Sequence, residues 1–301
     1  MSAPAPGPGH WAGAPSALAT PERILLAYRL RAPRPARGYE LRIAASDDGQ
    51  AFRDVWALHK EELGTPSLER ACLVAIPSGI RLYVSFVDPD DGRWRIDVTE
   101  ADRVEHLDIR SRHPALTAAS AGVESVKDPV VIRDRDRWLM FASFGSRELR
   151  AVPGRDDALN ARGDPLSSGQ LLSCTGLATS DDGLAWSWEG PVLVPPRRGW
   201  DGFETRISTV VRRGTEWLAL YDGIATLDEN YEERTGIATS ADLRRWERET
   251  VDGPALRSMH ASGSLRYACL TRVGGRTLAY FEAARPDGAH DLEVAEAQMS
   301  A

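Results

Sequence analysis

The sequence predicts an all-β chain folded as a single five-bladed β-propeller, four antiparallel strands to a blade, over residues 1–301. Three observations carry the prediction. A strand ending in Ala-x-Ser, an Asp-containing turn and an aromatic recur together as LRIAASDDGQAF from Leu41, TGLATSDDGLAW from Thr175 and TGIATSADLRRW from Thr235. A degenerate copy, WRIDVTEADRVEHL, starts at Trp94. Upstream of the copies stand pairs of β-rich runs joined by short polar turns. Finally, helical periodicity is not sustained beyond short stretches such as Ala57 to Leu63.

The paired runs set the order of units. They are GAPSALATPERILLAYRL from Gly13, ERACLVAIPSGIRLYVSF from Glu69, KDPVVIRDRDRWLMFAS from Lys127, ETRISTVVRRGTEWLALYDG from Glu204 and LRYACLTRVGGRTLAYFEA from Leu265. Asp and Gly in the turns supply local acceptors and permissive backbone, and the β-branched and aromatic runs suit pleated strands. Blades are expected to start near residues 12, 68, 126, 203 and 264, with a loop inserted in the third over about 147–170. Radial repetition protects strand edges by closing a ring. An irregular β-sandwich is the alternative.

Composition narrows the function. A net charge of −7 provides no long-range field for a nucleic acid or an acidic membrane. No run approaches the roughly 18 apolar residues of a membrane span. The Ala/Pro/Gly-rich start lacks a basic region followed by an apolar run, so a secretory signal is not supported. Three widely spaced cysteines, Cys72, Cys174 and Cys269, argue against a disulfide framework and for a reducing cytoplasm.

In a propeller the first strand of each blade lines the central axis, so the residues opening those strands converge at one mouth. Here they are Ala14, Glu69 and Arg70, Lys127 and Asp128, Glu204 and Arg206, and Arg266. Each charge also has a plain reading as an edge charge or half of a salt bridge; recurrence at equivalent positions favours a site. Asp128, followed by Pro129 at a strand start, is the most distinctive element. A one-residue slip in any strand would turn its side chains to the other face.

The elements KDPVVI at Lys127, FETRISTVV at Phe203 and TGIATSADLRRW after LYDG at Leu220 resemble the arabinanase, levansucrase and invertase superfamily of five-bladed glycosidases, over nearly the whole chain. The resemblance implies an enzyme acting on a glycoside or sugar-derived substrate through carboxylates on different first strands. By motif position Asp128 is similar to the orienting aspartate and Glu204 to the general acid. The first blade departs from the pattern: Gly13-Ala14-Pro15-Ser16 stands where an aspartate is usual, and alanine cannot activate water. Glu69 is then the nearest candidate for the base. A basic phosphate site like that of mannoside phosphorylases is an alternative, with Arg70, Arg206 and Arg266 as a cationic ring for a phosphate or carboxylate. So is a non-catalytic protein binding an anionic saccharide or small molecule, or a biosynthetic enzyme of other chemistry.

The resemblance also suggests His260, before the fifth blade, as a residue near the channel axis, sometimes beside a bound ion. No organic cofactor is implied, and no His/Cys/Asp spacing resembles a zinc or iron site. Trp11 and Trp200 flank candidate first strands and suit stacking on a sugar ring, although packing is the readier explanation of each; Asp222, in LYDG, is expected at the rim. His290 has no evident partner.

Overall fold

A computed structural model describes residues 1–151 and 165–298. Among the described residues the chain runs as five consecutive antiparallel meanders. The first holds β1 (Trp11–Ala19), β2 (Ile24–Ala32), β3 (Arg37–Ser46) and β4 (Arg53–His59). The second holds β5 (Leu68–Ile76), β6 (Gly79–Val87), β7 (Trp94–Ala101) and β8 (His113–Leu116). The third holds β9 (Ser125–Asp134), β10 (Arg137–Gly145), β11 (Cys174–Ser180) and β12 (Ser187–Leu193). The fourth holds β13 (Glu204–Arg213), β14 (Glu216–Ile224), β15 (Arg234–Ser240) and the two-residue β16 (Glu247–Arg248).

The fifth meander differs from the expected four strands. It has β17 (Leu265–Val273), β18 (Arg276–Ala284) and β19 (His290–Glu296), and the place beside β19 is taken by the chain's own start. Met1 and Leu292 exchange backbone hydrogen bonds of 2.6 and 2.9 Å. Single parallel pairs, Arg234 with Leu265 and Trp11 with His290, join the fourth, fifth and first meanders edge to edge.

The first strands pack in a cycle: β1 on β5, β5 on β9, β9 on β13, β13 on β17 and β17 on β1. Side chains stitch four of these contacts to backbone. Ser16 Oγ accepts from Leu73 N, Cys72 Sγ from Val131 N, Thr209 Oγ1 from Leu270 N and Cys269 Sγ from Ala17 N. Apolar clusters fill the seams between meanders, as with Leu25, Leu41, Leu73 and Phe86 between the first and second.

The recurring turn explains the repeated Ser-x-Asp. Asp48, Asp182 and Asp242 each accept from the backbone N–H groups two and three residues on, and Ser46, Ser180 and Ser240 each accept from the third residue on. That third residue is left-handed each time: Gly49 (φ 78°), Gly183 (φ 74°) and Leu243 (φ 65°). Tyr280 and Tyr83 reach across to the carbonyls of Gly49 and Gly183. At the third turn Phe141 shares an apolar cluster with Leu243 instead, so burial offsets the strain of a non-glycine there. The insertion expected over about 147–170 lies largely outside the described residues; on its flanks Leu149 and Ala151 pair with Leu172 and Gln170.

Candidate active site

The site is built on a backbone feature that all five first strands share. In four of them two residues face one on the neighbouring strand: Ala14-Pro15, Glu69-Arg70, Asp128-Pro129 and Tyr267-Ala268. In β13 the extra residue is Ser208. A bulge at this point re-aims a side chain out of the ladder. Ala14, Asp128 and Tyr267 hold φ values of 53°, 56° and 52°, a conformation that L-residues rarely adopt.

Around these bulges lies a buried network of opposite charges. Arg206 faces Asp222 across the β13–β14 hairpin, and Arg266 faces Glu282 across β17–β18. Arg206 donates to Asp222 Oδ2 through Nε (3.2 Å) and Nη2 (3.1 Å), and lies 3.4 Å from Glu233 Oε1 and 3.3 Å from Glu204 Oε1. Arg266 donates to Glu282 (2.8 Å from Nε) and to Glu233. Glu69 accepts from Arg29 and from Arg31 (2.8 Å). Glu282 also accepts from Ala14 N (3.2 Å) and Arg29 (3.3 Å) and contacts His290 Nδ1 at 2.9 Å. Trp11 lies under the Arg266 and Arg31 guanidinium groups at 4.5 and 5.0 Å, and Tyr267 under Arg206 at 4.0 Å.

Asp128 is treated differently. It is fully buried, its N–H donates to Ser85 Oγ (2.9 Å), and neither carboxylate oxygen has a hydrogen-bond partner in the described protein. The nearest cations, Lys127 Nζ and Arg206 Nη1, stand off at 3.6 and 3.7 Å. Glu204 Oε1 is likewise without a hydrogen bond.

The environments drive the carboxyl groups apart in proton affinity. Burial pushes Glu204 up to about 7; the charge of Glu233 adds to this, and Arg206 and Lys127 only partly oppose it. Burial likewise raises Asp222 to about 6 against the pull of Arg206. For Glu69 burial acts in the same direction, but Arg29, Lys127 and Arg31 outweigh it and hold the group at about 2. Glu233 falls to about 2 as well, because Arg266 and Arg206 overcome its burial. Glu282 is held well below the usual carboxylate range by Arg266, His290 and Arg29, again in spite of burial.

These groups enclose a cavity of about 20 Å³, room for a single water molecule. Of the residues expected at the site, Glu69, Lys127, Glu204, Arg206, Arg266 and Trp11 line it. Asp128 and Asp222 sit behind the lining, each within reach of Arg206. Arg70, the other bulge residue of β5, turns away and donates to Pro15 O (3.2 Å). Trp200 stacks on Tyr221 at 5.6 Å and donates to Thr250 O, a packing role. His260 is exposed on a turn; the buried histidine is His290, stacked on Trp11 at 5.2 Å. Arg206 and Arg266 are each bonded to two or more carboxylates, so they form no bare cationic ring. A wider recess of about 380 Å³ shares Trp11, Asn230 and Tyr231 with the cavity wall.

Sequence reasoning missed Arg29, Arg31, Glu233, Glu282 and the pairing of His290. Some signal existed. Arg29 and Arg31 alternate within the apolar run ILLAYRLRA, and counting back from the Gly274-Gly275 turn with one bulge sets Glu282 opposite Arg266. Glu233 has no such signature, since only the seam between the fourth and fifth meanders brings it in. Among the described residues no group of three or more His, Cys, Asp or Glu is placed to hold a metal ion, and no helix is long and apolar enough to cross a membrane.

No protein-family model and no curated protein matches the chain by sequence. Solved structures match it in fold. The GH43_1 enzyme from Xanthomonas citri complexed with xylotriose is 15% identical, with 98% of this chain and 90% of that one covered and a TM-score of 0.66. An α-L-arabinofuranosidase from Lactobacillus brevis is 14% identical over 95% and 90%, with a TM-score of 0.66. A structure described with the GH130 family of mannoside phosphorylases is 15% identical over 94% and 83%, with a TM-score of 0.64. These neighbours belong to the five-bladed β-propeller glycosidase superfamily, and at this identity the likeness shows a shared propeller fold.

Proposed function

We propose that this chain is a carbohydrate-active enzyme of the glycosidase type, working at the mouth of a channel ringed by five blades, the fifth completed by the N-terminal residues. One observation carries the reading: a single cavity is lined by Glu204, pushed up to about 7, and by Glu69 and Glu233, held at about 2. Carboxyl groups split in this way provide a proton donor and an anion around one bond. Glu204 protonates the leaving glycosidic oxygen as the C–O bond breaks. Glu69 takes the anionic role, toward water or the anomeric carbon, and Asp128, whose oxygens have no hydrogen-bond partner in the described protein, takes the orienting role. The substrate enters from the recess beside Trp11 and Tyr231. The Xanthomonas citri neighbour's complex with xylotriose supports a saccharide substrate.

The phosphorylase alternative draws less support, because the arginines it needs are already bonded to carboxylates. A second reading has an observation of its own. Ala14 stands where the superfamily resemblance leads one to expect an acid, and Glu282 occupies its N–H. A non-hydrolytic enzyme or a saccharide-binding protein would need no acid there. Three free buried thiols accord with our proposal of a reducing, cytoplasmic setting.

Product detection by NMR on aryl and natural glycosides, with and without phosphate, tests this. Free sugar from wild type, reduced roughly 10²–10⁴-fold in Glu204→Gln, supports the hydrolase. Sugar phosphate formed only with phosphate supports phosphorolysis, and binding without turnover supports the second reading.

A further inference from the structure

We infer that Glu233 is the positioning residue of this site: its carboxylate, shared between Arg206 and Arg266, directs Nη1 of Arg206 at Glu204 and Asp128. The inference rests on the reading of Glu204 as the proton donor. Glu233 is 2% exposed and precedes β15, outside the first strands that carry the other candidates. Its backbone is pinned, since its carbonyl accepts from Ser264 Oγ (3.0 Å) and Leu265 N (3.2 Å). The side chain therefore reaches the arginines from a fixed base rather than from a swinging loop.

Arg206 has one orientation under these constraints. Asp222 holds Nε and Nη2, Glu233 stands beside Nη2, and the Tyr267 ring covers the guanidinium face. Only Nη1 remains to meet Glu204 and Asp128, at 3.3 and 3.7 Å. Arg266 ties Glu233 in turn to Glu282. Glu233 thus has two effects on Glu204: it repels the ionised form directly, and it draws on the charge of the arginine that would otherwise stabilise that form. The other groups acting on Glu204 are Lys127 on β9, Ser173 just before β11 and Cys174 on β11, while Asp128 and Asp222 share Arg206 with it.

The test is an NMR titration of the full chain labelled with ¹³C at glutamate carboxyls, with the Glu204 resonance assigned through Glu204→Gln. In wild type its midpoint is expected near 7. Glu233→Gln keeps an acceptor for the arginines but loses the charge, and lowers that midpoint by about one pH unit or more. Glu233→Asp keeps the charge on a shorter arm, and lowers the midpoint by less than about one pH unit. A folded Glu233→Gln protein with an unmoved midpoint overturns the inference, as does a fall of about one pH unit or more in Glu233→Asp, which decides alone if the Gln variant does not fold. A wild-type midpoint in the ordinary carboxylate range removes the acid itself. That outcome defeats the functional reading together with the inference, whereas an unmoved midpoint near 7 defeats only the inference.

Discussion

The opening of the first strand and that of the third share one backbone and differ in chemistry. Ala14-Pro15 and Asp128-Pro129 have the same bulge, φ values within a few degrees, and complete burial. At the third opening the side chain is a carboxylate with no hydrogen-bond partner. At the first it is a methyl group, and a carboxylate arrives from the neighbouring meander instead, Glu282 accepting from Ala14 N. The bulge is thus a feature of the scaffold that persists whether or not it presents an acid. The unsatisfied carboxylate of Asp128 keeps acceptors for a ligand, whereas Glu282 is taken up by arginine and histidine and acts as a clasp.

Breaking the clasp should have the largest effect on stability. Glu282→Ala strips Arg266, Arg29 and His290 of a shared partner in a dry interior, and is expected to cost about 3–5 kcal/mol in denaturant unfolding. A loss below about 1 kcal/mol would show that the cluster is solvated after all.

Next comes the proton on Glu204, neighbour of the third opening. Its folded-state affinity lies above the ordinary carboxylate value, so its stabilising contribution is present below about pH 4.5 and lost as pH rises through about 7. The contribution is on the order of 3 kcal/mol, and Glu204→Gln should flatten this part of a stability-against-pH profile. Glu69 and Glu233 have the opposite sign: their contribution is present above about pH 4.5 and lost as pH falls toward about 2.

Ala14→Asp sharpens the comparison directly. The new carboxyl would lie beside Glu282, and like charges in a buried place should destabilise by about 2–3 kcal/mol. If the variant instead keeps its stability and gains release of free sugar, the first opening lacked only its acid. Asp128→Asn should have the smallest effect on folding, within about 1 kcal/mol of wild type or stabilising, because no hydrogen bond is lost. Turnover should fall with it; a large loss of stability would make Asp128 structural.

Much of the architecture was legible because turns and strands are local. Ser-x-Asp recurs because its side chains satisfy the turn from within, and paired β-rich runs announce hairpins without reference to anything distant. Glu69, Glu204, Arg206 and Arg266 were legible as strand openers. Arg70 was not, because a bulge puts two adjacent residues at the opening and only one of them can face the cavity. His260 and His290 show the same limit: one sits in the more suggestive motif yet is exposed, and the other lies in an unremarked strand yet is buried against Glu282.

By itself the sequence determined the β class, the order of the meanders and the turns, all of which follow from neighbours along the chain. Only the tertiary structure decided which charges meet. Glu233, Glu282, Arg29 and His290 come from different strands and a connecting segment, and the arginines that looked like an open anion site are bonded to carboxylates. The physical reason is that burial makes an ionised group depend on its partner. Partners are set by the packing of one meander on the next, and that packing has no local signature.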